Sequence, residues 1–411
     1  IANKLICMSQ KKRSAAIGFI FVTLLIDVMG IGIIVPMMPT LIRGFTGGDL
    51  STASQYSGWL MASYAIMQFV FSPVLGGLSD QYGRRPIILA SLFGFSLDYL
   101  LLANAPNITW LFVGRILAGI TGASFTTAQA YIADVSTAEN RAKNFGMVGA
   151  AFGLGFIVGP AIGGVLGNID VHLPFYASAV LTMVNALYGY FVLPESLSLE
   201  NRRPFNWKRA NPFGSLKHMS KYHPMVLGLV GGYFFVQLAS QAHPSTWSYF
   251  TMKVFDWSPD EVGYSLAFVG LIVAVVQGGL TRVITPKIGE RNAISYGLLL
   301  WAIGFILFAF ATESWMMYAF MIPFGLGGLA GPALQSLITQ QVGANEQGEL
   351  QGGLTSLQSI TTILGPLFAS NLFAYFTTKE HNFPGAAFFA AGVVGFIAWG
   401  VIMRSIPKNN Q

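Results

Sequence analysis

Runs of about twenty or more apolar residues, separated by short polar loops, restrict the fold of this 411-residue chain more than any other feature. Wound as a helix, such a run matches the ~30 Å hydrocarbon core of a bilayer. A helix also lets one segment bond its own backbone polar groups, as lipid demands. Membrane strands would read as alternating segments of about ten residues, a pattern that these continuous runs exclude. Twelve spans are expected, at about 15–42, 54–76, 86–104, 109–131, 143–167, 172–194, 225–251, 260–284, 291–312, 315–337, 351–378 and 384–404. The first is too long for a signal peptide, has no cleavage-like site and reads as retained. Met8, ahead of Ser9-Gln10-Lys11-Lys12-Arg13, is the expected start. The fold class is an all-α membrane protein, and the lipid bilayer is its first partner.

The formal charge of +6 invites a nucleic-acid reading, but its location decides otherwise. With those spans, every Lys and Arg except Arg43, Arg115, Lys253 and Lys379 falls on the side of the two termini. This positive-inside bias puts both termini in the cytoplasm and leaves no nucleic-acid footprint. Cys7 is the single cysteine, which excludes an intramolecular disulfide. No Cys/His cluster has metal-ligand spacing, so neither a metal nor a cofactor is expected.

The longest polar stretch, 195–224, carries Arg202, Arg203, Lys208, Arg209, Lys217 and Lys221 and divides the chain almost in half. It reads as a cytoplasmic linker between an N-terminal six-helix bundle (1–194) and a C-terminal one (225–411). A shift of 206 residues brings Gly83 onto Gly289, Arg85 onto Arg291, Gln129 onto Gln335, Ala138 onto Ala344, Gly146 onto Gly352 and Gly159-Pro160 onto Gly365-Pro366. One constant offset through several elements marks the halves as parallel repeats, giving two pseudo-symmetric bundles. That is the arrangement of major facilitator transporters, with a substrate cavity between the halves at mid-membrane. Two bundles make a complete unit, so a monomer is expected.

Gly76-Gly77-Leu78-Ser79-Asp80-Gln81-Tyr82-Gly83-Arg84-Arg85-Pro86 joins the second and third spans. Glycine permits a tight turn and close helix approach, and Asp80 and the arginines place opposite charges on one short loop. This closely resembles the signature loop of the major facilitator superfamily. The resemblance implies a gate network of Asp80, Arg84, Arg85, Asp134 and Arg141 that stabilises one conformation. The equivalent loop of the second half, Pro286 to Arg291, has no Asp, so the gate is asymmetric. In the fifth span, Gly155, Gly159 and Pro160 belong to a stretch in which proline removes a backbone donor and glycines allow tight packing. It is similar to the kink element of the superfamily's antiporters, which implies export.

Charges inside a bilayer are costly and point to function. Asp27, Asp98 and Arg115 lie within spans 1, 3 and 4. A carboxyl group in such surroundings can take up and release a proton, and a nearby guanidinium opposes uptake. These three are the candidate proton-coupling residues, with a static Asp–Arg pair as the bland alternative.

Further stretches, around Asp27, from Ser96 to Leu102, from Gly114 to Ala123, from Phe145 to Gly164 and from Gly325 to Gln335, resemble the bacterial tetracycline/proton antiporters. The resemblance covers nearly all of the chain. It implies a bacterial inner-membrane location and carries the family's essential acids onto Asp27, Asp80 and Asp98, and its arginines onto Arg84, Arg115 and Arg141. The second half departs: the family's embedded histidine falls at Val273 and its ninth-span acid at about Trp301, which weighs against tetracycline itself. What remains to line a cavity is neutral and polar: Tyr64, Gln68, Gln129, Tyr233, Gln237, Gln241, Gln335 and Gln358, with helix–helix hydrogen bonding as the alternative use of each glutamine. His243 reads as an interfacial residue near the end of span 7. Such a wall suits a small amphipathic organic compound, exported in exchange for protons. The alternatives are a specific metabolite or siderophore carrier, or a receptor without turnover. No catalytic motif marks an enzyme.

Overall fold

The structure, a computed structural model, describes residues 2–122, 124–136, 140–205, 207, 222–343, 346–378 and 380–406; the side chains of 2–16, 124, 125, 141–143, 145, 348 and 349 also lie outside the described set. The basic linker residues Lys208, Arg209, Lys217 and Lys221, the repeat positions Ala138 and Ala344, and Ala123 and Lys379 are thus outside the described residues. Among those described, twelve helices are long and apolar enough to cross a membrane. They are α1 (Ile17–Thr46), α2 (Leu50–Tyr82), α3 (Arg84–Ala103), α4 (Ile108–Val135), α5 (Gly146–Ile169), α6 (Leu173–Val192), α7 (Pro224–Phe255), α8 (Pro259–Ile288), α9 (Glu290–Ala309), α10 (Ser314–Gln340), α11 (Leu350–Phe376) and α12 (Ala386–Ser405). Their ends lie within a few residues of those expected. Several helices outrun their apolar cores, because polar residues such as Ser51, Asp80 and Lys253 can continue backbone pairing where side chains meet water.

Four of these helices are interrupted at matched places. α1 tightens into a 3-10 turn at Val35–Met37, and α7 breaks at Gln241. α4 is interrupted after Thr121 at Gly122, and α10 turns 3-10 at Gly327–Leu329. The repeat shift lays Val35 on Gln241 and Gly122 on Gly328, so the first and fourth helix of each six break alike. α8 adds a π-helical turn at Val276–Leu280. Irregular backbone at membrane depth persists only where protein or a hydrated cavity covers it.

The helices gather into two compact units: Ile1–Met37 with Ile66–Asn211, and Met38–Ala65 with Pro212–Gln411. In the first, Phe19, Ile20 and Leu24 of α1 meet Ile88 and Leu92 of α3 and Tyr131 and Ile132 of α4 in one core. α1 lies along α5, and glycines let it come close. A Cβ on Gly155 would stand 2.7 Å from Val28 Cγ1, and one on Gly159 would stand 2.8 Å from the Met29 carbonyl oxygen. Gly163 and Gly167 leave still less room, against Ile33 and Met37. Four glycines at a four-residue spacing make one face of α5 bare backbone.

In the second unit, Leu229 and Val230 of α7, Ile294 and Leu298 of α9, Leu334 and Ile338 of α10 and Ile402 of α12 form the core. An aromatic cluster of Trp247, Phe305, Phe308, Phe324 and Phe388 lies beyond it. Gly58 of α2 packs on α11, where a Cβ would come within 3.0 Å of the Pro366 carbonyl oxygen. On α6, Val180, Val184, Leu187 and Phe191 stand exposed at helical spacing, as a lipid-facing stripe should.

Candidate functional site

Asp98 and Arg115 are brought together as an ion pair between α3 and α4. The Asp98 side chain is wholly buried, and that of Arg115 is 15% exposed. Gly114 permits the pairing: a Cβ there would lie 2.7 Å from Asp98 Oδ1. The neighbouring Tyr99 turns the other way and seats its ring on Gly30 of α1, where a Cβ would come within 2.8 Å of the hydroxyl. Ser96, a turn nearer the start of α3, donates to the Ala179 carbonyl at 2.9 Å. α3 therefore presents three polar residues to three different helices. Asp27 stands half-buried on α1, three residues before Gly30, with both carboxylate oxygens shielded from solvent.

The signature loop is held by a denser network. Gly83 adopts φ +107°, which only glycine takes readily, and starts α3. Arg84 reaches Asp80 at 2.5 Å, Ser79 Oγ at 2.6 Å and Asp134 at 3.2 Å. Arg85 points elsewhere: it donates to the Tyr190 carbonyl at 2.5 Å and lies over the Tyr190 ring. Arg141 opens the helix that continues as α5, and its side chain lies outside the described residues.

Sequence reasoning missed the partner that completes this network. Glu195, just after α6, accepts from the backbone N–H of Arg84 at 2.9 Å and Arg85 at 3.2 Å, and from those of Ser196 and Leu197 at 3.0 Å each. It thereby caps the N-terminus of α3 with a negative charge. Ser196 Oγ donates to Asp134 at 3.0 Å. Downstream, the Arg203 N–H bonds the Asp80 carbonyl at 3.1 Å, and the Phe205 N–H bonds Gln81 Oε1 at 3.0 Å. The Phe205 ring fills the notch at Gly77. Residues 195–205, the first part of that linker, thus lie as a strap across the loop. The one sequence signal for it was an acid, Glu195, at the very start of a mostly basic stretch.

The polar residues expected to line a cavity divide in their use. Gln68 donates to the Gly122 carbonyl at 3.3 Å and so serves the break in α4. Gln241 sits at the break in α7, pressed against Gly365 of α11. Gln335 donates to Gln351 at 3.1 Å. Tyr64, Gln129, Tyr233 and Gln237 are half-buried, and Gln358 is exposed. His243, expected at an interface, stacks instead between Trp247 and Phe324, with ring centroids 4.6 and 5.2 Å away. α7 runs on to Phe255, which draws His243 into the helix. Val273 precedes the π-turn of α8, and Trp301 packs on the Phe305 ring at 4.9 Å and against Gly327 at the α10 break.

Comparison with known proteins agrees with the twelve-helix fold. The family profile described as Major Facilitator Superfamily matches residues 20–292 and 229–410. The chain is similar to tetracycline resistance protein, class C, of Escherichia coli, with 43% identity over 363 residues, 88% of this chain and 91% of that one. It is 28% identical over 402 residues to multidrug resistance protein 2 of Bacillus subtilis, covering 95% and 96% of the two chains. Among solved structures, that of the human organic anion transporter MFSD10 shares the fold, with a TM-score of 0.71 and 21% identity over 95% of this chain and 99% of that one.

Proposed function

The chain belongs to the Major Facilitator Superfamily, and from that premise we propose that it is an antiporter that exports a small amphipathic organic compound in exchange for protons. It is a multi-pass membrane transporter of the drug-efflux type. The observation that carries the proton step is the Asp98–Arg115 pair, enclosed in the same unit as Asp27. A carboxylate and a guanidinium this deep hold one another in place of water. A proton arriving on an acid of this group cancels its charge, loosens the attraction to Arg115 and lets the helices take another arrangement. Asp27, on the helix that lies along α5, is the residue we assign to proton uptake, with Asp98 and Arg115 as its partners in coupling. Asp80, Arg84, Arg85, Asp134 and Arg141 would form the gate that favours one state.

The relatives named for tetracycline resistance make that drug the first compound to test. Val273 and Trp301, standing where that family has ionisable residues, argue for a cargo that needs no second buried charge. Tyr64, Gln68, Gln129, Tyr233, Gln237, Gln241, Gln335 and Gln358 are proposed as the neutral wall that meets it. The same reading places both termini in the cytoplasm of a bacterial cell, divides the chain into bundles 1–194 and 225–411 around the linker 195–224, and makes it a monomer.

The test is substrate-triggered proton flux in reconstituted vesicles carrying an internal pH dye, with a panel that includes tetracycline. Asp27→Asn should abolish the flux while leaving the folded protein intact. Undiminished flux in that variant would remove Asp27 from the proton path.

A further inference from the structure

The repeat shift pairs two contacts that differ in chemistry. It lays Gly83 on Gly289, and both have positive φ, +107° and +80°. It lays Arg84 on Glu290, each the first residue of its helix, and Asp134 on Gln340, each near the end of the helix that follows. In the first unit Arg84 Nε stands 3.2 Å from Asp134 Oδ2. In the second, Gln340 Nε2 stands 3.5 Å from each carboxylate oxygen of Glu290. Ser336, one turn before Gln340, donates to Glu290 Oε1 at 2.7 Å and accepts from Gln340 at 2.9 Å. The same two positions therefore touch in both units, with the charge on the loop side inverted and its partner made neutral.

We propose that Glu290, Ser336 and Gln340 form the second unit's own clamp, the counterpart of Arg84 and Asp134, through which Glu290 positions α9 on α10 during transport. Geometry supports the assignment at each end. Glu290 occupies the first turn of α9, where a helix N-terminus favours an anion. A hydroxyl at 2.7 Å is a charge-assisted bond, and the bond from Gln340 to Ser336 aligns both donors on one acceptor. Gln347 donates to the Thr339 and Val342 carbonyls at 2.6 and 3.2 Å, which closes the end of α10 that carries them. The absence of an acid at Pro286, opposite Asp80, is thus answered within the unit by an acid four residues on. Glu290 touches neither cargo nor proton path in this assignment; it is a positioning residue.

The proposal rests on the reading of the chain as a transporter, but its first test does not depend on any cargo. Amide hydrogen exchange across 286–294 and 334–343 should quicken about tenfold in Glu290→Ala, as loss of a charged hydrogen bond implies. Glu290→Arg should do the same, whereas Glu290→Arg with Gln340→Asp, which copies the first unit's chemistry, should return exchange to within about twofold of the parent. In flux assays the single variants should lower turnover with KM unchanged, and the pair should restore it. Parental exchange in Glu290→Ala, or a folded double variant no better than Glu290→Arg, would overturn the clamp. A parent that exchanges as expected but moves no compound in the panel would instead count against the antiport reading.

Discussion

Glu195 shows how much one side chain can settle in a segment that looks like tether. Its carboxylate accepts four backbone N–H groups and blocks any side chain at Gly83, where a Cβ would collide with it. Glu195→Ala should lower unfolding stability by about 1–2 kcal/mol, the range for losing a helix cap, read as a drop in Tm in detergent. Because the same acid orders the loop around Arg84, turnover should fall further than stability does. Asp98 and Arg115 were legible in the sequence because charge in lipid is conspicuous. Glu195 was not, because acid in a polar stretch is ordinary. The glutamines were half-legible: residue type marked them as polar, but only the structure shows Gln68 bonding to the break in α4 and Gln241 standing at the break in α7.

At the scale of elements, the spans could be read from apolar length alone, and their breaks could not. Gly122 and Gly327 resemble packing glycines, and Gln241 breaks α7 with no glycine of its own at that residue. The repeat offset would have linked these places only once one of them was known. The α1–α5 contact gives a sharper expectation. Gly159→Leu would drive a side chain into the Met29 carbonyl and Gly32, with backbone on both sides. The loss should exceed the roughly 1–3 kcal/mol of ordinary overpacking, seen as failure to accumulate folded protein, while Gly149→Leu, with nothing within 4 Å, should be tolerated. At the start of α2, the Thr52 N–H donates to Asp49 at 3.0 Å and holds its carboxyl below the ordinary 3.8. A lowered value stabilises above the unfolded pKa and fades as pH falls through the folded one. The cost of Asp49→Ala, about 1 kcal/mol, should therefore be the same at pH 8 and pH 5 in thermal unfolding.

For the whole molecule, the distribution of Lys and Arg makes a claim that fusions can check. A phosphatase joined after Gln411 should be inactive, and one inserted at Gly47-Gly48 active; the reverse pattern would invert the proposed orientation. The fold class followed from the length of the apolar runs and the repeat from one offset. Which residues pack with which unit did not follow from either. Residues 38–65 gather with the second unit, although the chain numbers them within the first half.

The bare face of α5 also bears on how such a protein can change over generations. Glycine is the smallest residue, so every single-codon replacement at Gly155, Gly159, Gly163 or Gly167 adds bulk where α1 leaves none. A lineage under selection by a new compound has no viable first step there. Adaptive variants should accumulate on α7, α10 and α11 instead, and these four glycines of α5 should stay silent in any panel of evolved strains.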